Sequence, residues 1–205
     1  SHSQQARSDN NFRIQDKKKK IMNQVNKSTS QSLSVLFVCL DNTCRSPMAE
    51  AVMKYILKNV GFHDFLVDSA GTKGYHVGKN TDAITLQILK EKGIENFTHQ
   101  ARQICIEDFY KFDWILCMDQ GNLWDLQSMK PANSAAKLQR LGEFVDNMDV
   151  EDVYDPYGDT NLEAFYCVYN HIFHTCNVFV KQVLGRRNRS SYPRNKRVKI
   201  RQNTN

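Results

Sequence analysis

Ser34 to Val52, SVLFVCLDNTCRSPMAEAV, is the stretch whose reading decides the fold. Val35-Leu36-Phe37-Val38 is apolar and β-favouring, bounded by polar positions, and predicts a short buried strand. Pro47-Met48-Ala49-Glu50-Ala51-Val52 is mostly helix-forming, with Ser46 expected as the cap and Pro47 in the first turn. Only a short, mostly polar loop separates them, opening with Cys39 and closing with Arg45. A strand that turns directly into a helix presents backbone N–H groups and the positive helix end to an anion. A thiol at the floor of that loop has its thiolate favoured. The stretch therefore predicts a phosphate-handling cysteine site.

Outward from it, 205 residues suffice for one domain with a sizeable core. No apolar run approaches transmembrane length, and the polar first thirty residues hold no signal-peptide core. Six cysteines without disulfide or zinc spacing predict reduced thiols, a cytoplasmic setting and no structural metal. The net charge of +6 hides an asymmetry. Residues 1–31 carry seven Lys/Arg against two acids, and residues 186–205 carry eight against none. The 32–185 core keeps 13 bases and 20 acids, a net −7. Three units follow: a basic N-terminal arm (1–31), a folded domain (32–185) and a basic C-terminal tail (186–205), both arms expected to be disordered. Their charge suits nucleic acid, anionic lipid or an import receptor, which would add the nucleus as a second location; a purely solubilising role weighs as much. Nothing in the sequence speaks to self-association.

Within the domain, further strands are expected at Phe65–Asp68, Phe112–Met118 and, weakened by Gly142, Lys137–Phe144. Helices are expected at Pro47–Asn59, Asp82–Lys92, Gln120–Met129 and Asp159–Leu184. The last carries Leu162, Phe165, Tyr169, Ile172, Phe173, Cys176, Phe179, Val180 and Val183 at helical period, a core stripe. Residues 72–79 read as an irregular surface loop. Strands alternating with helices predict an α/β fold: a small parallel four-stranded sheet with helices on both faces. Ligands in such sheets sit beyond the strands' carboxyl ends, where Cys39 to Arg45 lies.

The C-x5-R spacing lets one loop wrap a tetrahedral oxyanion, with a guanidinium taking two oxygens in a fork. A phosphate ester held above a thiolate is open to attack by sulfur, giving a phosphocysteine that splits one hydrolysis into two easier steps. The leaving oxygen needs a proton, so a carboxylic acid must come over the loop from elsewhere. Asp155, in Val153-Tyr154-Asp155-Pro156-Tyr157, is the candidate, in an acidic segment expected to be flexible and stiffened by Pro156.

These residues resemble the low-molecular-weight protein tyrosine phosphatases. The family's V-C-x-G-N-x-C-R-S-P loop stands here as Val38-Cys39-Leu40-Asp41-Asn42-Thr43-Cys44-Arg45-Ser46-Pro47. Its D-S-A segment is Asp68-Ser69-Ala70, and its H-x-A-R-Q segment is His99-Gln100-Ala101-Arg102-Gln103. Its E-D-F and F-D-x-I-L-C-M-D segments are Glu107-Asp108-Phe109 and Phe112 to Asp119, and its D-P-Y is Asp155-Pro156-Tyr157. The match runs from about Leu33 to Leu184. The resemblance implies a flavodoxin-like fold of the phosphotyrosine phosphatase I type and hydrolysis of phosphotyrosine proteins and small aryl phosphates. It implies Cys39 as nucleophile, Arg45 as phosphoryl holder and Asp155 as general acid and base. Leu40, Asp41, Asn42, Thr43 and Cys44 would line the phosphate seat; Leu40, Tyr75 and Tyr157 would wall the aromatic ring. Asn42, Ser46, Ser69 and His99 would support the loop, and Cys44 would be a reversible redox partner of Cys39. No metal or cofactor is implied.

Two departures stand out. Asp41 replaces a loop glycine, which would be strained if its φ were positive and adds a carboxylate near a dianion. Gly158 replaces a second tyrosine usual in vertebrate relatives. These leave a phosphotyrosine-binding pseudophosphatase, weakened by Asp41, as the alternative. A related arsenate reductase would need further redox cysteines between Asp68 and Lys92, where none occurs.

Overall fold

In a computed structural model, residues 32–146 and 149–190 are described. The N-terminal arm and residues 191–205 lie outside them, as do the expectations about their order and partners. The elements run β1 (Leu33–Cys39), α1 (Arg45–Asn59), β2 (Phe65–Gly71), α2 (Ala83–Glu91), a single turn α3 (Asp108–Lys111), β3 (Trp114–Cys117), α4 (Gln120–Met129), β4 (Lys137–Arg140) and α5 (Leu162–Ser190). The sheet is four-stranded and parallel throughout, in the order β2-β1-β3-β4. The chain leaves β1 first toward β2 and then returns to β3 on the other side. The carboxyl end of β1 is thus the switch point, and Cys39 is its last residue.

Alternation along β1 divides the core in two. Leu33, Val35, Phe37 and Cys39 join the cluster containing Met48, Val52, Ile172 and Phe179 of α1 and α5. Leu36 and Val38 face the other way, onto Phe109, Phe112 and Leu126. A strand buried on both faces reads as a continuous apolar run because no side of it meets water.

The departures from the expected elements have local causes. Ser46 is not the cap of α1: Cys44 is, without a side-chain cap bond, and Ser46 is the second helical residue. β2 runs three residues further than expected, through Gly71, because Ser69 to Gly71 stay in register with Phe37 to Cys39. β4 stops at Arg140, and Leu141–Glu143 turn into a 3-10 helix. There, a Cβ on Gly142 would meet the Glu151 carbonyl oxygen at 1.7 Å, so the glycine is required where the acid-bearing segment crosses β4's exit. α5 begins at Leu162 rather than Asp159, because Asp159 and Asn161 side chains accept the N–H groups of Asn161 and Glu163 in turns. Leu162 is exposed, outside the core stripe. The helix continues to Ser190, five residues into the stretch assigned to the tail. No helix among the described residues is long and apolar enough to cross a membrane.

Candidate active site

The loop between β1 and α1 is fastened from three sides. Cys39 and Leu40 carbonyls accept the N–H groups of Thr72 and Lys73, both at 2.9 Å, and the Thr43 carbonyl accepts that of Asp82 at 2.8 Å. Gly71 permits this approach: a Cβ there would lie 2.8 Å from the Leu40 carbonyl oxygen and 3.0 Å from the Asp41 carbonyl carbon. The loop's left-handed residue is Asn42, at φ +62°, not Asp41. The condition for strain at Asp41 is therefore not met, and Asn tolerates that region better than most side chains.

Asn42 is fully buried and its amide orientation is fixed by its partners. The backbone N–H of Arg102 donates to Oδ1 at 2.9 Å, so Nδ2 is the end that reaches Ser46 Oγ (2.9 Å) and Ser69 Oγ (3.0 Å). Behind it, Ser69 donates to Glu50 Oε2 at 2.7 Å. His99 Nε2 stands 2.7 Å from Asn42 Oδ1 and its Nδ1 3.1 Å from Glu50 Oε2. Burial works against the Glu50 charge, but bonds from His99, Lys54 and Ser69 outweigh it and hold its pKa below the usual range. Glu50, Asp68 and His99 also form the one three-residue group among the described residues whose ligand atoms gather within 4.8 Å. Lys54 already occupies Glu50 Oε1 and Arg102 occupies Asp68 Oδ2, so the group is a hydrogen-bonded cluster.

Cys39 is 2% exposed, at the floor of the loop. Ser46 Oγ lies 3.0 Å from its sulfur, and the Asn42 N–H donates to it at 3.3 Å. Asn42 Nδ2 already donates to Ser46 Oγ, leaving the hydroxyl proton free to point at sulfur or at the Ala70 carbonyl (3.3 Å). Arg45, equally buried, spans the mouth. Its Nη1 donates to Asp119 Oδ2 (2.7 Å) and the Val153 carbonyl (3.1 Å), and its Nη2 donates to Asp155 Oδ2 (2.9 Å). Burial opposes the guanidinium charge, yet the Cys39 sulfur and the two carboxylates overcome it and raise its pKa.

The segment carrying Asp155 is tied to the end of β3, to α4 and to Arg140 by hydrogen bonds. The Val153 N–H donates to the Met118 carbonyl at 2.8 Å, Asp152 accepts from the Gln120 N–H and from Arg140, and Pro156 is buried. Asp155 remains 41% exposed at its side chain, open to incoming ligand. Gly158, at φ +78°, closes the turn.

Asp41 folds back on its own loop. Its Oδ1 accepts from the Thr43 N–H (3.2 Å) and hydroxyl (3.0 Å), and its Oδ2 meets His76 Nδ1 at 2.9 Å. The His76 ring faces that of Tyr157 at 6.1 Å between centroids. Leu40 and Tyr157 are exposed at this rim. Tyr75 is 69% exposed and enters no ring contact among the described residues. Cys44 is buried, accepts from the Thr85 hydroxyl at 3.2 Å, and burial pushes its thiol up to about 12. Of the remaining cysteines, Cys117 and Cys176 are buried, Cys167 lies on an exposed face of α5, and Cys105 is exposed just before α3, outside the core.

Sequence reasoning missed Asp119, Glu50, Arg102 and His76 as parts of this assembly. Asp119 carried a usable signal, an acid at the carboxyl end of a strand. Glu50 was a lone acid in an apolar helix face. His76 had none, since the loop that carries it follows no pattern.

The family model for low molecular weight phosphotyrosine protein phosphatase matches residues 34–189. "Low molecular weight phosphotyrosine protein phosphatase 2" of Drosophila melanogaster is 40% identical over 154 residues, covering 75% of this chain and 93% of that protein. A crystal structure of a protein tyrosine phosphatase from Entamoeba histolytica aligns with TM-score 0.69 at 33% identity, over 75% of this chain and 99% of that one. One of a Drosophila arginine phosphatase aligns with TM-score 0.67 at 36% identity, over 72% and 96%. The chain belongs to the low molecular weight phosphotyrosine protein phosphatase family. It is a hydrolase of phosphoric monoesters, with phosphoproteins as its class of substrate.

Proposed function

We propose that the chain hydrolyses phosphotyrosine and small aryl phosphates through a phosphocysteine on Cys39, with Asp155 as general acid and then base. One observation carries this reading: Arg45 joins the carboxylate of Asp155 to the loop that encloses the Cys39 sulfur. In the first step sulfur attacks phosphorus, the ester P–O bond breaks, and Asp155 gives its proton to the leaving oxygen. In the second, Asp155 takes a proton from water, the water oxygen attacks phosphorus, and the S–P bond breaks. Arriving phosphoryl oxygens take Arg45 Nη2 from Asp155 and free that carboxyl for the leaving group, while Asp119 keeps hold of Nη1. Ser46 and the Asn42 N–H stabilise the thiolate, and Asn42, Ser69 and His99 hold the loop in shape. Leu40 and Tyr157 flank the ring. Acid-quenched turnover of a phosphorylated substrate should leave phosphate on Cys39 in the wild type. Cys39→Ser should abolish both adduct and hydrolysis; turnover surviving in that variant would end the proposal.

Cys44 is proposed as redox partner. Peroxide converts the Cys39 thiolate to a sulfenic acid, and Cys44 sulfur then forms a disulfide with loss of water. A thiol with a pKa near 12 attacks slowly, so protection should be partial. Cys44→Ser should lose reductant-recoverable activity after peroxide; equal recovery would remove Cys44 from that role.

We propose phosphoarginine as a second substrate class, on the likeness to a solved arginine phosphatase and on Gly158, which sets no side chain beside the Asp155 turn. One solved relative is an arginine phosphatase. A guanidino phosphate brings a cationic leaving group that carboxylates receive well. Paired peptides, identical but for phosphotyrosine or phosphoarginine, would rank the two by kcat/KM.

A further inference from the structure

The phosphate loop of this chain carries a carboxylate, Asp41, where an incoming phosphoryl group brings two negative charges. Three contacts decide where that carboxylate goes. Thr43 takes Oδ1 through its N–H and hydroxyl, and His76, from the loop after β2, takes Oδ2 at 2.9 Å. The Asp41 side chain is 14% exposed and that of His76 20%, so the pair is largely withdrawn from water, where a hydrogen bond counts for more. His76 also faces Tyr157, two residues beyond Asp155, and so stands between the phosphate loop and the segment that bears the acid.

We propose that His76 is a positioning residue that masks the Asp41 carboxylate by holding its Oδ2 on the loop after β2, so that a loop carrying an acid still accepts a phosphoryl dianion. Thr43 holds only Oδ1. His76 donates a ring N–H to Oδ2 and ties it to the loop after β2. Without it, Asp41 presents its charge to the dianion, and phosphate binding weakens in ground state and transition state alike. The signature is a rise in KM with kcat little changed. The inference rests on the phosphatase reading only for its kinetic readout, because inorganic phosphate binding reports the same masking directly.

The test is a double-mutant cycle over Asp41→Gly and His76→Ala, read by KM for p-nitrophenyl phosphate and by calorimetric affinity for inorganic phosphate. His76→Ala alone should raise KM and weaken phosphate about three- to tenfold, a coupling of the size contacting residues show. In the Asp41→Gly background the same change should have no effect on either. Thermal melts of all four proteins separate this from unfolding, and His76→Gln, which restores a side-chain N–H donor, should recover much of the loss. Equal effects of His76→Ala in both backgrounds, or a loss confined to kcat, would overturn the masking role. Should no variant hydrolyse the ester, the phosphatase reading fails, while the phosphate affinities still decide the masking.

Discussion

Arg45 Nη2 meets Asp155 Oδ2 at 2.9 Å across 110 residues of sequence, and its Nη1 meets Asp119 Oδ2 at 2.7 Å. One buried guanidinium is thus shared between an acid on an exposed turn and an acid that also caps α4, where Asp119 Oδ1 accepts the Asn122 N–H at 2.8 Å. Asp119 is tied into the helix cap, and Asp155 is the more exposed of the two partners. Asp119→Asn should keep the cap, since Asn caps helices as well as Asp does, yet release the charge that aims Arg45. We expect kcat/KM for an aryl phosphate to fall by about tenfold or more, with stability changed by less than about 1 kcal/mol. Steady-state kinetics beside a urea melt would check it.

Gly71 is the point where β2 lets the phosphate loop pass. Adding one carbon there sets it 2.8 Å from the Leu40 carbonyl oxygen, backbone against backbone, so the loop must move. Gly71→Ala should cost about 1–3 kcal/mol and raise the KM for aryl phosphate, as overpacking at a rigid contact does. Gly61→Ala, at a glycine with open space around it, should leave KM alone even if its positive φ lowers stability.

Glu50 links the loop's support to pH. Its folded pKa is lowered, so it binds its proton less readily folded than unfolded. That stabilisation is complete above the ordinary glutamate value of about 4.3 and is lost as pH falls through the lower folded value. The melting temperature should therefore drop on acidification below about pH 4.3 more steeply in the wild type than in Glu50→Gln. Parallel curves would show that Glu50 carries no such linkage.

Much of this was legible in the sequence because it is short-range. The strand, loop and helix around Cys39 follow from spacing alone, and a parallel sheet follows from alternation of elements. Asp155 was reachable as the acid the chemistry requires. The residue of the loop that takes positive φ is not legible in the sequence, because it is settled by what the loop packs on. Asn42 takes it to reach Ser46, Ser69 and Arg102, up to 60 residues away. The end of β4 depends on Glu151 crossing over Gly142, and His76 meets Asp41 only through tertiary folding. Neither contact leaves a periodic trace.

The central claim is that Asp155 protonates the leaving group during attack by Cys39. The direct measure is kcat/KM across aryl phosphates of graded leaving-group pKa, for wild type and Asp155→Ala. A supplied proton makes the wild type nearly indifferent to the leaving group. Without it, Asp155→Ala should lose about 100-fold or more on phenyl phosphate and far less on p-nitrophenyl phosphate, giving a steep slope. Parallel slopes for the two proteins would contradict the assignment of Asp155 as the acid.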